Sequence, residues 1–245
     1  RITSNGVLDD FADVRLEPKG EEEALRYLEV EPGDLLNLDA EEIAAFRALK
    51  SAVKGGSVPV QQVEGLIRQM LLARYQAYKT KGLAGIAPYE RKSKHRLLAG
   101  DELTIANKQA KLVAKYLASV YHTMSNYPIV KIKEGEPVDE QYYWLNVDFS
   151  GRPLYLLSHR MLFRVGEAYA VLDRHFYSSH EYNCLQQGLI AIPTDDGMLI
   201  TYLRRVSTDQ VAGFGTKVKH PLARALMVSP IKHLLEGLRA KAETQ

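Results

Sequence analysis

Cysteine is almost absent from the chain: Cys184 is the single one in 245 residues. An intrachain disulfide is therefore excluded, and so are the multi-thiolate sets of most structural zinc sites. A surplus of one charge is also missing. The 32 basic and 30 acidic residues leave a formal net charge of +2, without the basic stripe that nucleic-acid binding demands. No run reaches the ~20 apolar residues of a membrane-spanning helix. The most hydrophobic window, Leu185 to Tyr202, is broken by Pro193-Thr194-Asp195-Asp196-Gly197. There is no Gly-x-Ser-x-Gly elbow and no His-Glu-x-x-His helix, and Gly213-Phe214-Gly215 lacks the Lys-Ser/Thr that completes a phosphate loop. The seven histidines show no metal-ligand spacing; His175 and His180, five apart, fall on opposite faces of a continuous strand. No nucleic acid, metal or cofactor is expected. Poverty in cysteine suits either a reduced cytoplasm or an exported protein, and a start at Arg1 rather than methionine suits either a trimmed chain or a removed export signal; export to the periplasm is slightly favoured over the cytoplasm.

Hydrophobic residues supply 46% of the chain and charged residues 25%, an ordinary globular balance. Together they predict one α+β domain over residues 1–245, helical up to about residue 130 and β-rich from about 140. Asp39 followed by Glu42 is a capping box that opens a helix to about Leu49. Val63, Ile67, Met70, Leu71, Tyr75 and Tyr78 recur at helical spacing and predict a helix over Val60–Lys79, stopped by Gly82. Leu103, Ala106, Val113, Leu117, Val120 and Met124 predict another over Asp101–Ser125, ended by Tyr127-Pro128. Tyr27-Leu28-Glu29-Val30 reads as an edge strand within an otherwise irregular start.

From Gln141 the period changes to two. Strands are predicted at Tyr142–Phe149, Leu154–Arg164, Ala168–Ser178, Leu185–Ile192 and Met198–Val206. The links Ser150-Gly151-Arg152-Pro153, Val165-Gly166-Glu167 and Asp195-Asp196-Gly197 are too short for helical crossovers, so the sheet is antiparallel. An amphipathic helix over Pro221–Ala242 follows. The expected architecture is a curved antiparallel sheet of at least five strands packed on a long C-terminal helix, preceded by a helical N-terminal half.

This order of elements over Gln141 to Ala242 resembles the START-type helix-grip superfamily. The resemblance implies a cavity between sheet and terminal helix. The whole chain, including 82–89 and 207–215, also resembles a group of uncharacterised bacterial proteins, often exported, from which no function carries over.

Strand alternation puts Tyr155, Leu157, His159, Met161 and Phe163 on one face. With Tyr143, Leu145 and Tyr202 from neighbouring strands they are the candidate lining of a ligand pocket. Large apolar side chains interrupted by one titratable group suit a hydrophobic small molecule, lipid- or sterol-like, with a polar anchor. Arg160, Arg174, Arg204 and Arg205 punctuate the apolar strands; each must be paired with an acid or meet a ligand. The bland alternative is an Arg–Asp or Arg–Glu pair on the outer face. Two other functions stand beside ligand carriage. One is a cyclase- or hydratase-type enzyme with His159, Asp173 or His175 as acid or base. The other is a structural or interaction module with a solid core.

Overall fold

The computed structural model describes residues 2–7, 10–34, 36–53, 57–92, 95–128, 138–209 and, between 232 and 241, positions 232, 233, 235–237 and 239–241. The chain divides into two units, Arg1–Ser207 and Thr208–Gln245. In the second, Lys232 and Glu236 form an ion pair at 3.7 Å, within short helical stretches between positions 232 and 241.

The first unit opens with strand β1, Ile2–Val7, and helix α1, Gly20–Leu28. The edge strand expected at Tyr27 to Val30 is corrected, because α1 ends at Leu28. Glu21, Glu22 and Glu23 occupy its first turn and Arg26 its last, matching the helix dipole. Ala24, Tyr27 and Leu28, at i, i+3 and i+4, are its buried apolar face. Helix α2, Ala40–Ala52, begins at the expected capping box: Asp39 accepts from the Glu42 amide and Glu42 accepts from the Asp39 amide. Helix α3, Val60–Lys81, buries Val63, Ile67, Met70, Leu71, Tyr75 and Tyr78. It ends at Gly82 with φ of +60°, where a Cβ would lie 2.0 Å from the Tyr127 carbonyl oxygen. Only glycine satisfies both demands. A short 3₁₀ turn at Gly82–Gly85 leads to a two-stranded ribbon, β2 (Tyr89–Glu90) and β3 (Arg96–Leu97).

The helix expected over Asp101–Ser125 is three helices: α4 (Ala99–Gln109), α5 (Lys111–Tyr116) and α6 (Ala118–Asn126). The breaks fall at Ala110, ψ 50°, and Leu117, ψ 55°. No glycine or proline lies between 101 and 127 to mark them.

Five strands then run as an antiparallel meander: β4 (Asp139–Phe149), β5 (Arg152–Val165), β6 (Ala168–Ser178), β7 (Cys184–Thr194) and β8 (Gly197–Ser207). Strand β1 pairs with the free edge of β4, giving a six-stranded sheet in the order β1-β4-β5-β6-β7-β8. The sequence pattern had placed no strand there. The expected grip on a long C-terminal helix is also corrected. Among the described residues the longest helix, α3 with 22 residues, lies in the N-terminal half, and most of Pro221–Ala242 is outside the described residues.

Cross-strand partners share a face, so the register assigns every side chain. The face toward the helices carries Tyr142 and Trp144, Leu157 and His159, Leu172 and Arg174, Gln186 and Gly188, and Leu203 and Arg205. The other face carries Tyr143, Leu145, Ser158, Arg160, Asp173, His175, Gln187, Tyr202 and Arg204. Strict alternation fails in β1, between Ile2 and Ser4, and again in β6. Leu157 pairs with Tyr177, but Ser158 pairs with His175, leaving Phe176 as the extra residue of a β-bulge. Tyr177 thereby moves to the helix-side face, against the period-two expectation.

Candidate functional site: an apolar groove with arginines at its rim

The eight sequence-predicted lining residues do not face one space. Tyr155, Leu157, His159, Met161 and Phe163 do share the helix-side face, and each is at most 1% exposed. Tyr143, Leu145 and Tyr202 lie on the opposite face, with the sheet between. There Tyr143 donates to Asp173 at 2.7 Å, Arg160 pairs with Asp173 at 3.1 Å, and Tyr202 donates to Gln187 at 2.7 Å. Arg160 thus takes the bland role of an outer-face ion pair.

The five helix-side residues are packed, not cavity-lining. Tyr155 and Leu157 belong to the main core with Trp144, Phe176 and Tyr177, while Met161 and Phe163 belong to a second cluster with Val120, Met124 and Leu172. His159 stacks on Tyr142 at 4.4 Å between ring centroids and lies 4.6 Å from Tyr127. Its Nε2 is 2.8 Å from the Glu140 carboxylate and its Nδ1 is 2.9 Å from the Tyr78 hydroxyl. A carboxylate only accepts, so Nε2 carries the proton and donates, and Nδ1 accepts from Tyr78. The Tyr78 oxygen in turn accepts from Arg174 at 3.2 Å. Burial lowers the His159 pKa, so the ring stays neutral, and its hydrogen bond holds Glu140 below the usual carboxylate range. With both nitrogens engaged and no exposure, His159 is a satisfied core histidine.

An apolar groove lies farther along the same face, where α4–α6 span β6–β8. Its volume is about 290 Å³. Ala110, Val113 and Leu117 form the helical wall, and Leu172, Ile190 and Leu203 the sheet wall. The unforeseen breaks at Ala110 and Leu117 both fall in that wall. None of the eight predicted residues lines it. Gly188 sits at mid-strand in its floor, between Leu172 and Leu203. A Cβ at Gly188 would meet only the Val171 carbonyl oxygen, at 3.5 Å, among the described residues. A glycine inside a strand weakens it, and one use of such a glycine is to let a ligand or another backbone approach closely. That isolated glycine was the one local signal of the groove in the sequence, and the pattern of large side chains drew attention elsewhere.

Beneath the groove lies Arg174, fully buried. Its Nε donates to Gln186 at 2.9 Å, NH1 to Tyr78 and NH2 to the Met124 carbonyl at 2.7 Å. Gln186 passes the chain on to Asn107 at 2.8 Å. All three partners of the guanidinium are neutral, and among the described residues it makes no ion pair. A second buried arginine, Arg74, does have a counter-charge: Glu42 at 2.5 Å, with Tyr177 beneath it at 4.4 Å.

Cys184, buried, has its thiol pKa pushed up to about 12 by desolvation, which removes its nucleophilic thiolate at neutral pH. Among the described residues no three His, Cys, Asp or Glu side chains group to hold a metal ion, and no helix is long and apolar enough to cross a membrane. No family model, curated protein or solved structure matches the chain.

Proposed function

We propose that the protein binds a hydrophobic small molecule in the groove between α4–α6 and β6–β8. The observation that carries this reading is Gly188: a side chain is missing from mid-strand where an apolar groove of about 290 Å³ needs its floor kept clear. Small-molecule sites are concave and mostly apolar, with a few placed polar groups, and here Gln109, Gln186 and Arg205 supply the polar rim. The acid–base groups considered for an enzyme support binding rather than catalysis at this place. His159 is sealed between Tyr78 and Glu140, and Asp173 and His175 lie on the other face.

The test is a titration of the full chain with an apolar dye whose fluorescence rises on desolvation. Saturable binding is expected, and Val113→Trp, which fills the groove from the helix side, should abolish it. Absence of saturable binding to the unmodified chain, or binding unaffected by Val113→Trp in a variant of unchanged melting temperature, would overturn the proposal.

A further inference from the structure

We infer that the groove's ligand is a single-chain carboxylate amphiphile whose anion is held by Arg205. The inference rests on the groove reading above and adds the chemical class of the ligand.

Two positive charges converge on the groove. Register places Arg205 opposite Gln186, on the helix-side face, whereas Arg204 points to the other side. Arg205 is exposed and lines the groove, with no ion pair or side-chain hydrogen bond among the described residues. Behind Gln186 lies the second cation, Arg174, whose partners are all neutral. Two of those partners, Gln186 and Met124, are themselves part of the groove lining, so only one layer of side chains separates the guanidinium from the open space. A buried charge without a counter-ion is costly, and a nearby anion offsets that cost. Among the described residues no acidic side chain lines the groove.

The shape limits the rest of the molecule. At roughly 30 Å³ per water-sized group, 290 Å³ holds on the order of ten heavy atoms, one short acyl chain and not two. The apolar walls at Val113, Leu117 and Ile190 take the chain, and the Gln186–Arg205 end takes the headgroup. Arginine suits a carboxylate because its planar fork can donate two parallel hydrogen bonds.

The experiment compares sodium octanoate with 1-octanol, equal in chain length and differing in charge, by isothermal titration calorimetry on the full chain and on Arg205→Gln. Octanoate is expected to bind about fivefold more tightly than octanol at low salt, the span of a partly solvated ion pair. In Arg205→Gln the preference for octanoate should shrink toward the smaller part that Arg174, behind Gln186, supplies, with the affinity for octanol unchanged. Added salt should weaken octanoate alone. Equal affinities in the unmodified chain, or a preference undiminished in Arg205→Gln, would overturn the assignment of the carboxylate to Arg205 and leave the apolar groove standing. Binding of neither ligand would remove the groove reading itself.

Discussion

Replacing Gly188 by leucine is the sharpest test of the groove, because a ligand site and a solid core predict opposite signs. The backbone at Gly188 is not in the left-handed region, and a new Cβ would make only an ordinary contact, 3.5 Å from the Val171 oxygen. The leucine side chain would then lie between Leu172 and Leu203. Full burial of a leucine is worth about 1.5–3 kcal/mol. In an open groove half of that, about 1 kcal/mol, is a fair value. Removing a strand glycine adds about 0.5–1 kcal/mol from the unfolded chain. The variant should therefore gain about 1.5–2 kcal/mol, which for a chain of this size raises the melting temperature by roughly 3–8 °C. If the space were already packed, the same change would cost about 1–3 kcal/mol in overpacking. Differential scanning calorimetry and dye titration of the one variant decide. A higher melting temperature with dye binding lost is expected; a lower one with dye binding intact would refute the reasoning.

Leu157, fully buried beside Trp144 and Tyr155, should behave in the opposite way: Leu157→Trp should lower stability by about 1–3 kcal/mol through overpacking and leave dye affinity unchanged, as thermal melts and titration will show. Glu42→Gln should cost about 3 kcal/mol in urea unfolding, because it leaves the buried Arg74 without its counter-charge; a loss below about 1 kcal/mol, the value of a surface pair, would contradict that. Acid should destabilise the fold before carboxylates titrate. Burial lowers the pKa of His159, His180 and His175, the last to about 4 from an ordinary 6.5. A depressed histidine pKa means the unfolded chain binds more protons, so stability is full above about pH 6.5 and falls as pH drops toward the folded value. For His175 alone the loss between about pH 7.5 and about pH 5 is ~2 kcal/mol; a urea midpoint independent of pH across that window would contradict a His175 held neutral by burial.

Much of the local structure is legible in the sequence. The Asp39–Glu42 box, the stripe from Val63 to Tyr78 and the glycine stop at Gly82 are readable because caps and periodicity report interactions between residues three or four apart. The five meander strands were readable for the same reason, as their tight links at Ser150-Gly151, Gly166 and Gly197 all carry positive φ. Where reading failed, the deciding contact was distant. Strand β1 exists because β4, some 140 positions later, offers it an edge; Ile2 lies opposite Val147. The expected strand at Tyr27 to Val30 overlaps the last two residues of α1, because four residues are too few to show which period they obey.

By itself, then, the sequence determined helices α2 and α3, the antiparallel meander, and a single-face row on β5 running from Tyr155 to Phe163. It did so because backbone geometry repeats over a few residues and side-chain chemistry records the repeat. Tertiary structure alone decided which of those side chains would be core and which would border open space. The bulge at Phe176 moved Tyr177 across the sheet, and Tyr78, 81 positions from His159 in the chain, closed the histidine off. The breaks at Ala110 and Leu117 bend three short helices over β6–β8, and the gap they leave opens above a glycine. No local pattern encodes that gap, since it is set by how closely two separately folded surfaces can approach each other.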